Sequence, residues 1–104
     1  MTSSWSQESV APGRVRIVVQ GEIDLADEDP LVDEVDSLVA AGDNVVVELD
    51  MASVEFIDSS GIRALLVLRR AYGEQIVLGA RSPAVQRVLD IAGLTDVFSG
   101  NWDR

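Results

Sequence analysis

Residues 44–71 read NVVVELDMASVEFIDSSGIRALLVLRRA. The first six, Asn44 to Leu49, form a nearly unbroken β-branched run. That is the composition of a strand buried on both faces, as in the middle of a parallel sheet. Val54 to Ile57 leads into a short polar stretch, Asp58-Ser59-Ser60-Gly61. From Gly61 to Ala71 the apolar side chains fall at Ile62, Leu65, Leu66 and Leu68, which is helical spacing. Arg63, Arg69 and Arg70 mark the wet side of this helix and Gly73 its stop. A strand, a polar turn and a helix in that order begin a βαβ unit.

The flanking segments repeat the alternation. Downstream, Gln75 to Gly79 reads as another strand. Ser82-Pro83 is a helix start, a cap followed by a first-turn proline. Val85, Val88, Leu89 and Ala92 form that helix's apolar stripe, and Gly93 with Leu94 its stop. Val97-Phe98 is expected to form a last short strand. Upstream, Val15 to Gln20 (VRIVVQ) is a strand that Gly21 ends. The turn chemistry of APGR at 11–14 lets it pair with a short strand around Trp5 to Val10. Between them and residue 44, Leu31, Val35, Leu38 and Val39 recur at helical spacing. Asp27 or Asp29 is the expected cap, with Pro30 confined to the first turn and Gly42 at the end. The pattern predicts an α/β domain with a mostly parallel sheet after an opening hairpin.

Bulk properties narrow the function. The 104 residues suit one domain, and 47% apolar residues are too many for disorder. There is no cysteine and no histidine, so thiol chemistry, a disulfide framework and the commonest general base are absent together. The formal charge of −10 repels nucleic acid and anionic lipid and suits a protein with a basic face. Eight of the 18 acidic residues lie between Glu22 and Asp36, with no basic residue among them. Such a run is usually a solvated helix face; docking of a partner is the other reading. The first ten residues have no basic start and no apolar stretch, and no apolar run approaches a membrane span of roughly 20 residues. A cytoplasmic protein without cofactor, nucleic acid or membrane contact is expected.

The polar stretch is not a hydrolase nucleophile. A Gly-x-Ser-x-Gly elbow needs a glycine two residues ahead, where Ile57 or Asp58 stands. No histidine is present to act as base, and all eight basic residues are arginine, so lysine is absent too. There is no phosphate-cradling Gly-rich loop ending in Lys-Ser/Thr. A calcium loop starting at Asp24 would need Asp or Asn at its third position and Gly at its sixth, where Ala26 and Asp29 stand. One short polar side chain, Asp58 or Ser59, suffices to cap the helix. Three in a row, backed by Gly61, leave a surplus.

DMASVEFIDSSGIRALLVLRRA at 50–71 resembles the central segment of the STAS domain of bacterial anti-sigma factor antagonists. GEIDLADEDPL at 21–31 resembles the family's upstream block and ARSPAVQRVLDIAGLTDVF at 80–98 its downstream block. The resemblance implies one STAS-like domain over 1–104, a small mixed sheet with helices mainly on one face. It implies a regulatory protein, not an enzyme, with no metal or catalytic residue. Ser59 becomes the phosphate acceptor of a partner that is both serine kinase and anti-sigma factor, and a phosphatase resets it. Asp24 and Asp58 match acidic positions of the family's docking surface; Ser60, Gly61, Ile62 and Leu66 complete the expected partner-binding set. The segment DEDPL, with its acids and Pro30, departs from the Thr-Ala-x-x-Leu that relatives often carry, which implies a docking edge tuned to one partner. The chain stops soon after Phe98, where many relatives continue into another helix, so the last strand is expected to be loosely held or covered by something else. A constitutive adaptor in a signalling assembly or on a transporter, with Ser59 or Ser60 never modified, is the alternative.

Overall fold

The computed structural model describes residues 4–98. Its elements in chain order are β1 (Ser4–Ala11), β2 (Arg14–Ile23), α1 (Leu25–Ala40), β3 (Val46–Ile57), α2 (Ser59–Tyr72), β4 (Ile76–Arg81) and α3 (Pro83–Ala92). Single 3-10 turns follow α2 at Gly73–Gln75 and α3 at Thr95–Val97. The strands lie in the order β1-β2-β3-β4. β1 and β2 form the antiparallel hairpin, and β2, β3 and β4 run parallel. Pro12 and Gly13 make the hairpin loop; Pro12 fixes its own φ, and Gly13 takes the positive φ of +73° that the turn requires.

The core lies between one face of the sheet and the helices. Ile17 and Val19 of β2, Val47, Leu49 and Met51 of β3, and Ile76 and Leu78 of β4 are all buried. They join Val35 of α1, Leu65 and Leu68 of α2, and Val85 and Leu89 of α3 in one cluster. Each fully buried Leu or Ile contributes about 1.5–3 kcal/mol. On the opposite face, paired positions Glu8, Arg16 and Glu48 form a row across three strands. Arg16 bridges Glu8 at 3.2 Å and Glu48 at 3.4 Å. Two-faced burial of β3 is therefore limited to Val47–Leu49 and includes a charged side chain; Ala52, Ser53, Glu55 and Phe56 are exposed.

Several boundaries differ from the sequence expectation. Gly21 does not end β2. With φ of +90° it sits at a register shift against β3, and the strand resumes to Ile23. A glycine in this conformation is what a bulge uses to bend a strand without breaking it. α1 begins earlier than expected, with Asp24 as its cap in place of Asp27 or Asp29. Asp24 and Asp27 form a reciprocal capping box: the Asp24 carboxylate accepts the Ala26 N–H at 3.0 Å, and the Asp27 carboxylate accepts the Asp24 N–H at 2.9 Å. Pro30 is thus the sixth residue of the helix, beyond the first turn, and offers no N–H to the Ala26 carbonyl. The expected strand at Val97-Phe98 is a 3-10 turn whose C-cap is Phe98. Phe98 is buried and its carbonyl accepts from Arg81 at 2.9 Å, so packing and not strand pairing holds this segment.

Other boundaries match. Ser82 Oγ accepts the Val85 N–H at 3.1 Å, with Pro83 first in the helix. Gly93 is left-handed, and Leu94 N–H reaches the Leu89 carbonyl at 2.8 Å. Among the described residues, no helix is long and apolar enough to cross a membrane.

Candidate functional site

β2 and β3 end side by side, with Ile23 paired to Ile57. Each strand is followed at once by an aspartate and a helix: Asp24 before α1 and Asp58 before α2. The N-termini of α1 and α2 therefore emerge together at the carboxyl edge of the parallel sheet, the edge where α/β folds place their sites. The Asp58 N–H donates to the Ile23 carbonyl at 3.2 Å, which locks the two junctions to each other.

Asp58, not Ser59, supplies the side-chain cap of α2. Its Oδ1 accepts from the Ser60 N–H at 2.9 Å and from the Gly61 N–H at 3.1 Å. Ser59, the first residue of α2, is exposed, and among the described residues none hydrogen-bonds its hydroxyl. The surplus in the motif is resolved: one side chain caps, and the Ser59 hydroxyl is left at the surface over the positive end of a helix dipole. Ser60 is half-buried.

Gly61 explains how the helix comes so close to the strands. A Cβ there would sit 2.5 Å from Ile57 Cγ1 and 2.9 Å from Ile23 Cγ2. The absence of a side chain lets the first turn of α2 rest on the two strand ends, and so fixes where Ser59 projects.

The expected apolar contacts fare differently. Ile62 is only 7% exposed and belongs to the core; Leu66 is half-buried against that core. The exposed apolar side chain beside the site is Phe56, at 51%. With Ile57, Pro83, Ala84, Arg87 and Val88 it lines a shallow groove between the end of β3 and α3. Strand alternation carries this signal: if Ile57 points inward, Phe56 points outward.

The acidic run of α1 is partly committed to internal partners. Glu28 accepts from Arg63 Nε and Nη2, both at 3.1 Å. Asp36 accepts from the Tyr72 hydroxyl, which raises the phenol's pKa, and Glu34 accepts from Gln7. Hydrogen bonding to Glu28 raises the Arg63 pKa further. Asp29 and Asp33 remain on the exposed side of the helix.

Comparison with known proteins agrees with this architecture. Residues 6–99 match the family described as "Mlab, STAS domain". BtrV of Bordetella bronchiseptica, assigned as an anti-sigma factor antagonist, is 32% identical over 90 residues, covering 83% of this chain and 76% of its own. The crystal structure of an anti-sigma factor antagonist from Mycobacterium paratuberculosis superposes with a TM-score of 0.79 at 26% identity, over 94% of this chain and 84% of that one. SpoIIAA in its unphosphorylated form gives a TM-score of 0.75 at 24% identity, over 89% and 84%. The phosphorylated form of SpoIIAA from Bacillus gives 0.68 at 23%, over 89% and 86%. With the sheet order, the paired helix starts and the Asp-Ser-Ser-Gly turn all in place, the chain belongs to the STAS-domain family of anti-sigma factor antagonists.

Proposed function

We propose that this protein antagonises an anti-sigma factor that is also a serine kinase, and that phosphorylation of Ser59 ends the association. The unmodified protein binds the kinase through the paired starts of α1 and α2 and frees a sigma factor. The kinase then moves the γ-phosphoryl group of ATP to Ser59 Oγ; ADP leaves, and the hydroxyl proton passes to a base or to solvent. A phosphatase returns the protein to its binding form.

The observation that carries this reading is the division of labour in the turn. Asp58 caps the Ser60 and Gly61 N–H groups, so the exposed Ser59 hydroxyl has no part in the cap among the described residues. Asp24, Asp58, Ser60 and Gly61 shape the docking edge, Leu66 adds a half-buried flank, and Phe56 supplies the apolar contact that Ile62, being in the core, does not. Esterification adds about −1.5 to −2 charges and three acceptor oxygens. A unit charge facing a like charge of the partner at about 4 Å costs on the order of 4 kcal/mol at an effective dielectric near 20. At 1.4 kcal/mol per decade, that is roughly a several-hundredfold loss of affinity without refolding. The SpoIIAA fold, seen in both unphosphorylated and phosphorylated forms, supports a switch of this type.

The test is to purify the kinase partner from the native cell and titrate it with the wild type, Ser59→Ala and Ser59→Asp. Ser59→Ala is expected to bind like the unmodified wild type and to resist labelling, and Ser59→Asp to bind weakly. Phe56→Ser should lower the affinity of the unmodified form by about tenfold, the cost of losing an interfacial aromatic anchor. Equal binding of the alanine and aspartate variants would favour a constitutive adaptor.

A further inference from the structure

Ser59 and Arg63 are the first and fifth residues of α2. Side chains four apart on a helix are neighbours on one face, with Cβ atoms about 5–6 Å apart. The Cα–Cβ bonds of a helix lean toward its N-terminus, so Arg63 projects toward the turn that carries Ser59. It is there that Arg63 meets Glu28, in the first turn of α1, through two bonds of 3.1 Å. The Arg63 side chain is 61% exposed while that of Glu28 is only 17% exposed, consistent with the arginine lying over the carboxylate from the solvent side. The Asp58 carboxylate, next to Ser59 in the chain, also acts on the guanidinium.

We infer that Arg63 is a two-position latch: it clamps Glu28 while Ser59 is free and moves to the phosphate once Ser59 is esterified. The inference rests on the reading that Ser59 is the modified residue. Its chemistry is a competition for one planar fork. A carboxylate offers one negative charge; a phosphate monoester offers about −1.5 to −2 and a geometry suited to bidentate arginine. The phosphate is tethered one turn away on the same helix, so Arg63 reaches it by a change of rotamer that exchanges its two bonds to Glu28 for bonds to the phosphate. The Asp36–Tyr72 bond between the same two helices does not involve the latch and stays in place.

The consequence is that the mark is passed to α1. With Arg63 withdrawn, Glu28 loses its ion pair with Arg63 and its solvent-side cover, at the end of α1 that adjoins the docking edge. The partner then meets a new phosphate and an uncovered carboxylate. The repulsion spans two helices although only one residue is modified.

The test installs phosphoserine at position 59 during translation or by ligation, so no kinase is needed. The phosphate is titrated by ³¹P NMR in otherwise wild-type protein and in Arg63→Gln, Arg63→Lys and Glu28→Gln backgrounds, with the Arg63 Nε–H followed in parallel. An arginine held against the phosphate favours the dianion, so its second pKa should lie about half a unit or more below that in Arg63→Gln. Arg63→Lys should fall between, because it keeps the charge but loses the fork. Glu28→Gln should lower the phosphate pKa beyond the wild type by removing the competitor, and the Arg63 Nε–H resonance should shift on modification in the wild type and in Glu28→Gln. The same phosphate pKa in wild type and Arg63→Gln, with an unmoved Nε–H signal, would overturn the latch. Failure of the kinase to label Ser59 is scored in a separate assay; it would remove the biological setting while leaving this chemical result to stand or fall alone.

Discussion

The starts of α1 and α2 are built alike and finished differently. Both follow strands that end in register at Ile23 and Ile57, and both are capped by an aspartate at the first position after the strand. At α1 the cap is backed by Asp27 and Glu28 in the first turn, so the positive end of the helix dipole is answered by carboxylates encoded in the chain. At α2 the first turn holds Ser59, Ser60 and Gly61 and no acid. The same geometry thus appears once with its anions built in and once with the place left to a hydroxyl. A negative charge added there is compatible with the fold, so a modification can change what the edge repels without changing how the chain packs.

The contrast can be broken most strongly at Gly61. Its counterpart at the third position of α1 is Asp27, which carries a side chain without difficulty. A methyl group at Gly61 would press on Ile57 and Ile23. Gly61→Ala is expected to destabilise the protein by about 1–3 kcal/mol in urea denaturation. No loss would mean that α2 does not rest on the strand ends as described.

The caps come next. Asp58→Ala leaves two N–H groups of a partly buried turn without their acceptor and should cost about 1–2 kcal/mol. Asp24→Ala should cost less, about 1 kcal/mol, because Asp27 and Glu28 still face the dipole. Equal losses, read from the same denaturation curves, would mean that the flanking acids contribute nothing. The smallest effect belongs to the serine: Ser59→Ala should change stability by less than about 0.5 kcal/mol, as expected of an exposed residue outside the cap. A larger loss would give Ser59 a structural role and weaken the case that it is held in reserve.

The sequence displayed the α2 half of this comparison far better than the α1 half. Asp58-Ser59-Ser60-Gly61 stands between a clear strand and a clear helix, so the junction could be placed within two residues, with only the choice between Asp58 and Ser59 as cap left open. At α1 the acids at 24, 27 and 29 were all competent caps, and the rule confining proline to the first turn favoured the later two. The reciprocal bonding of Asp24 with Asp27, and the contacts that α1 makes with Arg63 and Tyr72, outweigh the hydrogen bond forfeited at Pro30. Those contacts join residues 35 and 36 positions apart, a pairing that no local pattern encodes. The bulge at Gly21 was hidden for a related reason: a strand glycine reads as a stop unless its partner strand is known. Within the site, the exposed hydroxyl was legible from the surplus of polar residues. Ile62 stood in the helix's apolar stripe with Leu65 and so pointed to the core, whereas the outward Phe56 was not legible, because the pair Phe56-Ile57 does not say which of the two faces the core.

The central claim is that one ester at Ser59 converts a docking edge into a repelling one. It is tested most directly by measuring the affinity of the purified kinase partner for two forms of the folded protein, unmodified and carrying phosphoserine at 59, at physiological salt. A several-hundredfold weaker association of the phosphorylated form, with unchanged thermal stability, is the predicted result. Equal affinities for the two forms would contradict the account.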